Sequence, residues 1–402
     1  MYFFSFSRLI IMVSLSRRQA VKVLGIGTVA APYVARTAFA QETVQVGILH
    51  SLSGDLALAE ASVVDAEKMA IDEINAAGGV LGRKITPIVE DGASDWPVFA
   101  EKARKLLGQN KVPAVFGCYT SASRKAVLPV FEQLKGLLYY PTFYEGLEQS
   151  PNIFYTGPEA SQQSIAACTW LMKNKGKSVY MVGSDYVWPR ATNKISRATI
   201  EKNGGRVMGE EYLPLGATNF TSIINKIKAR RPDIILSTVV GGSNVAFFKQ
   251  MLSAGIDKTK TTVLTLNMTE EEVSGVGADN AQGVLTCMSY FQSLDNPTNK
   301  KFVTAFKAKY GANRVVGDVM ECGYNAVYLW KAGVEKAKSF EIDKVVAATP
   351  NLELDAPEGK IKVHATNHHL WKRARIGEFG SDGQVKIIHE TPLISPNPFA
   401  TS

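Results

Sequence analysis

Short apolar runs alternate with longer amphipathic ones along almost the whole chain, and that rhythm leaves few folds open. Val44–Leu49 reads as a strand, Ser51-Leu52-Ser53-Gly54-Asp55 as a turn, and Ser62 to Asn75 as a helix stopped by Gly78-Gly79. Ile85–Val89, Ala114–Phe116 and Leu137–Tyr140 follow as strands, separated by helical patterns over Pro97–Leu107 and Ser123–Leu134. The rhythm then restarts. Helical segments Ser164–Lys173, Arg190–Asn203, Phe220–Ala229 and Asn244–Ala254 are interleaved with strands Ser178–Val182, Arg206–Tyr212, Ile234–Thr238 and Val263–Leu266. Three helices are expected over Asn299–Tyr310, Met320–Ala337 and Ile342–Ala348, and strand-like alternation from Gly359 to Glu390. Such alternation makes βαβ units, so the fold class is α/β with parallel sheets covered by helices on both faces. Two halves of ordinary domain size suggest two lobes around a cleft.

The first forty residues have a different character. Ser16-Arg17-Arg18-Gln19-Ala20-Val21-Lys22 precedes an apolar stretch from Val23 to Val34, and Ala38-Phe39-Ala40 follows. That order is the basic, apolar and small-residue plan of a secretory signal, and the paired arginines resemble the twin-arginine type. The apolar stretch is interrupted by Gly25, Gly27 and Pro32 and is shorter than the ~20 residues needed to span a bilayer. Residues 1–40 are therefore expected to be a signal peptide cleaved near Ala40, and the mature protein to be periplasmic. This segment also explains most of the charge. It holds five basic residues and no acidic one, so a formal +8 over the chain (45 basic against 37 acidic) becomes +3 beyond residue 40. A nucleic-acid footprint would be clustered and would survive that trimming, so no nucleic-acid partner is expected.

Cys118, Cys168, Cys287 and Cys322 are scattered without a CxxC pair, and five histidines show no ligand spacing. Small buried thiols are expected, with no cofactor and no metal. In open parallel sheets a ligand sits beyond the carboxyl ends of the strands, so the loops after strands carry the interest. Gly117-Cys118-Tyr119-Thr120-Ser121-Ala122-Ser123 offers hydroxyls at a helix start, where Ser121 or Ser123 also suits a plain cap. Pro141-Thr142-Phe143-Tyr144-Glu145-Gly146 adds rings and a hydroxyl, and Tyr186 with Trp188 is expected on an extended loop. Val239-Val240-Gly241-Gly242 permits close backbone approach. Arg124, Lys125 and Arg190 fall inside helical patterns, which leaves the loops without a cation for a carboxylate. The expected ligand is small, uncharged and rich in N–H donors or carbonyl acceptors.

Several runs resemble a known family. Leu49-His50-Ser51-Leu52-Ser53-Gly54, Glu90-Asp91-Gly92-Ala93-Ser94-Asp95-Trp96-Pro97, Tyr144-Glu145-Gly146, Asn152-Ile153-Phe154-Tyr155-Thr156-Gly157 and Ala356-Pro357-Glu358-Gly359 are similar to the substrate-binding proteins of urea and short-chain amide ABC transporters. These belong to the type I periplasmic binding proteins, as does the cytoplasmic amide sensor of the amidase operon. The resemblance implies two doubly wound parallel sheets joined by a three-strand hinge. Residues 41–157 with 289–350 would form one lobe, and 158–288 with 351–402 the other. It further implies ligand contacts at Tyr119 and Ser121, Tyr140 and Thr142, and Tyr186 and Trp188, matched through the sensor's Gly-Cys-Tyr-x-Ser, Tyr-Pro-Thr and Asp-Tyr-x-aromatic runs. The implied function is an extracytoplasmic receptor that takes urea or a short aliphatic amide to membrane permease subunits with cytoplasmic ATPases. Alternatives are an amide-responsive regulator or a branched-chain amino-acid binder. An amidase or urease is disfavoured, because an activated nucleophile with its base and a histidine-rich metal cluster are both missing from the sequence.

Overall fold

The computed structural model describes residues 42–402; the expected signal peptide lies outside the described residues. The first half runs β1 (Thr43–His50), α1 (Ala57–Ala76), β2 (Lys84–Asp91), α2 (Trp96–Arg104), β3 (Val115–Gly117), α3 (Ser121–Leu134), β4 (Leu138–Tyr140) and β5 (Ile153–Tyr155). The second half begins with α4 (Ser164–Asn174), β6 (Ser178–Ser184), α5 (Val187–Lys202), β7 (Arg206–Leu213), α6 (Thr221–Arg230) and β8 (Ile234–Thr238). It continues with α7 (Gly242–Ser253), β9 (Thr262–Thr265), α8 (Glu270–Val276), α9 (Ala278–Ala281) and β10 (Leu285–Met288). Then come α10 (Pro297–Tyr310), α11 (Asp318–Ala337), α12 (Ile342–Ala348), β11 (Glu353–Ala356), β12 (Gly359–Val363), β13 (Leu370–Trp371), β14 (Arg375–Phe379) and β15 (Val385–Glu390).

The alternation read from the sequence produces the expected parallel sheets. One has five strands in the order β2-β1-β3-β4-β5, all parallel. The other has seven in the order β15-β14-β10-β9-β8-β6-β7; β14 and β15 run antiparallel at one edge. Strand cores such as Val46 and Ile48 in β1 or Ile234 to Leu236 in β8 are fully buried, as strands covered on both faces must be. Helix α1 packs along α11, which places residues 318–337 beside the first sheet.

One boundary differs from the expectation. Residues 351–402 were assigned together to the second lobe, but they divide. Strands β11–β13 form a separate antiparallel sheet, and Ala356, Ile361, Val363 and Leu370 share a core with Val46, Ile48, Phe116 and Trp330. Only β14 and β15 join the seven-stranded sheet. Period-two alternation fixes which side chains turn inward, not which sheet a strand joins.

The chain crosses between the two large sheets after β5, after β10 and between β13 and β14. The first turn of α11 binds these crossings. Asp318 Oδ1 accepts from the Ser289 and Tyr290 amides at 2.8 Å each, and Thr156 Oγ1 donates to the Cys322 carbonyl at 3.4 Å. Lys372 Nζ pairs with Glu358 and lies 3.4 Å from Cys322 Sγ, while Arg375 donates to the Ser289 and Glu358 carbonyls. Glu321, Cys322 and Glu358 place their donor atoms within 4.8 Å of one another, but the buried Lys372 ammonium already supplies the cation there. All four cysteines are buried and unpaired.

Candidate functional site

The ends of β3, β4 and β6 converge where the two halves meet. Gly117 closes β3 at φ +150°, and a side chain there would collide with the Leu49 backbone. Cys118 follows at φ +62°, a left-handed conformation that costs a non-glycine residue about 1–3 kcal/mol. This backbone path brings Tyr119 to the sheet edge, where its carbonyl accepts from Tyr140 Oη at 2.8 Å. Thr120, not Ser121 or Ser123, is the cap of α3, and its hydroxyl accepts from the Ser123 amide at 3.0 Å. Ser121 is thereby released, and its hydroxyl donates to Glu145 Oε2 at 2.5 Å while accepting from Arg124 Nη1 at 3.2 Å.

Arg124 lies inside α3, as its helical pattern suggests, and is fully buried. Its Nε bonds Glu148 Oε1 at 2.7 Å, and its guanidinium lies over the rings of Tyr144 (4.4 Å) and Tyr140 (4.7 Å). Glu148 is held down to about 2: burial would raise it, but Arg124 and Lys125 outweigh that cost. The Glu145–Glu148 loop is fixed from behind. Tyr144 stacks on Tyr155, which stacks on His369 at 4.2 Å, and Tyr144 Oη shares a 2.5 Å hydrogen bond with His369 Nε2. Burial lowers His369 to about 3, so the ring is neutral and Nε2 can accept while Nδ1–H donates to the Asn367 carbonyl. The C-terminal segment closes the loop from outside, where the Pro398 carbonyl accepts from the Leu147 amide at 2.5 Å.

From the other half, Tyr186 ends an extended stretch and Trp188 lies in the first turn of α5, so the pair spans a helix start and not a loop. The helix tolerates Pro189 there because first-turn amides have no intrahelical carbonyl to bond, and in the sequence the Gly-Ser-Asp run before it outweighs that signal. The two rings are 6.5 Å apart, and Trp188 meets Phe143 of the first half at 5.2 Å. A side chain at Gly241 would lie 3.3 Å from the Asp55 carbonyl oxygen. The two halves are in contact, and the arrangement is closed.

All six residues singled out from the sequence gather here. Four that were not singled out join them: Phe143, Glu145, Arg124 and Glu60. Burial raises the Tyr186 phenol well above its ordinary range, and Tyr140, Glu145 and Glu60 push it the same way. Burial does the same to Tyr119, with added effect from Glu272, Glu271 and Glu60. Both phenols therefore stay protonated and can donate. Among the buried polar atoms of these residues, Thr142 Oγ1, Trp188 Nε1, Glu145 Oε1 and Glu60 Oε1 have no hydrogen-bond partner. Glu145 Oε1 lies 3.6 Å from Arg124 Nη2, an ion pair without a hydrogen bond. The site thus presents an indole N–H and phenol hydroxyls as donors, and carboxylate oxygens that can only accept.

Residues 44–402 match the model of the family described as "Periplasmic binding protein domain". The chain belongs to that family. Its relatives include the Leu/Ile/Val-binding protein homolog 8 of Brucella abortus (strain 2308), 26% identical over 340 residues, or 79% of this chain and 82% of the relative. Among solved structures, a solute binding protein of an ABC transporter from Rhodopseudomonas palustris BisB5, in complex with 3,4-dihydroxy benzoic acid, superposes with a TM-score of 0.81 at 24% identity. The match covers 88% of this chain and 98% of that one. The isoleucine complex of the branched-chain amino acid transporter substrate binding protein LivJ from Streptococcus pneumoniae gives 0.76 at 23% identity, covering 88% and 100%. These likenesses bear out the two-lobed fold.

Proposed function

We propose that this protein is an exported receptor of an ABC importer, and that it binds urea or a short aliphatic amide between its lobes for delivery to the permease. The observation that carries the ligand class is Glu145. Its carboxylate is buried, with one oxygen bonded to Ser121 and the other without a hydrogen-bond donor. A buried acceptor of this kind is stabilised by a ligand N–H, and a ligand carboxylate facing it would be repelled. The cation nearest the site, Arg124, is already committed to Glu148, Glu145 and Ser121. The benzoate-type and branched-chain amino-acid ligands of the structural relatives carry a carboxylate, and on this reading they do not suit the cleft. The protein binds without turnover: the buried cysteine thiols are raised by burial and remain protonated, Cys168 to about 12, and Ser121 has no lysine or histidine base bonded to its hydroxyl. A thermal-shift panel of urea, formamide, acetamide, leucine and benzoate tests the reading. A stabilising shift with urea or an amide is expected; a shift confined to leucine or benzoate would refute it.

A further inference from the structure

We propose that Glu60 is a second ligand-contacting carboxylate, held in place by His50 and Glu67, and that it makes the site select ligands with two amino groups on one carbon. This rests on the reading of the cleft as a urea or short-amide site. Glu60 lies in the first turn of α1, the helix that follows β1, and is fully buried. Its Oε2 accepts from the Ser51 amide at 2.7 Å and pairs with His50 Nδ1 at 3.2 Å; its Oε1 has no partner. His50 Nε2 reaches Glu67 Oε1 at 3.1 Å, and Glu67 packs against Gly323 of α11. The imidazole therefore bridges two carboxylates and fixes the Glu60 rotamer from the side opposite its unpartnered oxygen.

That oxygen is buried without a hydrogen-bond partner. The start of α1 meets the other lobe, where a side chain at Gly241 would lie 3.3 Å from the Asp55 carbonyl oxygen and 3.4 Å from Leu56 Cδ2, so the turn that carries Glu60 lies where the lobes adjoin. Glu145 takes one set of N–H donors and Glu60 a second. A ligand with one amino group and one methyl group would set that methyl against a buried carboxylate, leaving an acceptor unpaired.

Urea and acetamide differ by just this exchange of an amino group for a methyl group, and titration calorimetry on the wild-type protein with both is the test. Urea is expected to bind about 100-fold or more tightly than acetamide. In Glu60→Leu, checked for folding by its thermal transition, urea affinity is expected to fall at least about 10-fold while acetamide affinity holds or rises, so the preference collapses. A merely structural role for Glu60 would weaken both ligands alike and leave their ratio unchanged, which overturns the proposal. Equal affinity for the two ligands in the wild type overturns it without any variant. Wild-type protein that binds neither ligand removes the reading of the cleft itself.

Discussion

Ser121 shows how a residue's role is set by its neighbours. At the start of a helix a serine is ordinarily a cap, but Thr120 takes that position and leaves Ser121 between Arg124 and Glu145. Replacing Ser121 by Ala removes a donor to Glu145 and should weaken ligand binding by ~1–3 kcal/mol. An unchanged dissociation constant would take it out of the site. His50 is the second test at this scale. Burial alone would lower its pKa, yet the charges and hydrogen bonds of Glu67 and Glu60 raise it to about 9. A raised histidine stabilises the fold fully below its unfolded value near 6.5, and that contribution fades as pH climbs through about 9. Nitrogen chemical shifts should therefore show an imidazolium at pH 8, and a neutral ring at that pH would contradict the pairing. Ser121 is among the residues expected at the site, but its bonds to Arg124 and Glu145, like the His50 pairing, are not legible in the sequence. Tyr119, Tyr140, Thr142, Tyr186 and Trp188 could be picked out because strand-end loops announce themselves, whereas His50, Glu60 and Arg124 meet their partners only through tertiary contacts.

Among the elements, the helices and central strands were readable because period 3.6 and continuous apolar runs are local signals. Strands β5 and β10, three and four residues long, were not marked out, since their pairing comes from neighbours and not from their own pattern. The same blindness puts β11–β13 with the second lobe, whereas they form a sheet of their own on the core of the first. Helix α11 is the element with most depending on its start, because Asp318 and Cys322 touch all three crossings through Ser289 and Tyr290, Thr156 and Lys372. Burial raises Glu321 to about 8 and Asp318 to about 6, and the nearby Lys372 is held charged. A carboxyl raised by burial keeps its proton in the folded chain after the unfolded chain has lost it. These two groups therefore subtract stability as pH rises from the ordinary carboxylate range toward about 8. Lys372→Met leaves Glu358 buried without its cation, and thermal or guanidinium unfolding should show a loss of ~3–5 kcal/mol. A loss below about 1 kcal/mol, the range of an exposed pair, would mean that the ammonium is not the counter-charge of the hinge.

For the whole molecule, the two lobes touch through Phe143–Trp188 and the Gly241–Asp55 approach, which are the contacts a hinge motion must break. A ligand that bonds both lobes favours this closed form by its differential affinity. Small-angle scattering should show a smaller radius of gyration with saturating urea than without it; identical profiles would mean that closure is not coupled to the ligand. The proposed ligand class carries one chemical commitment: acceptor carboxylates line the cleft, and Arg124, the buried cation among these residues, is already paired with Glu148 and Glu145. Isothermal titration of the purified protein with urea and, separately, with leucine tests that commitment most directly. Saturable heat with urea and none with leucine is the expected result, whereas saturable heat with leucine alone would contradict it.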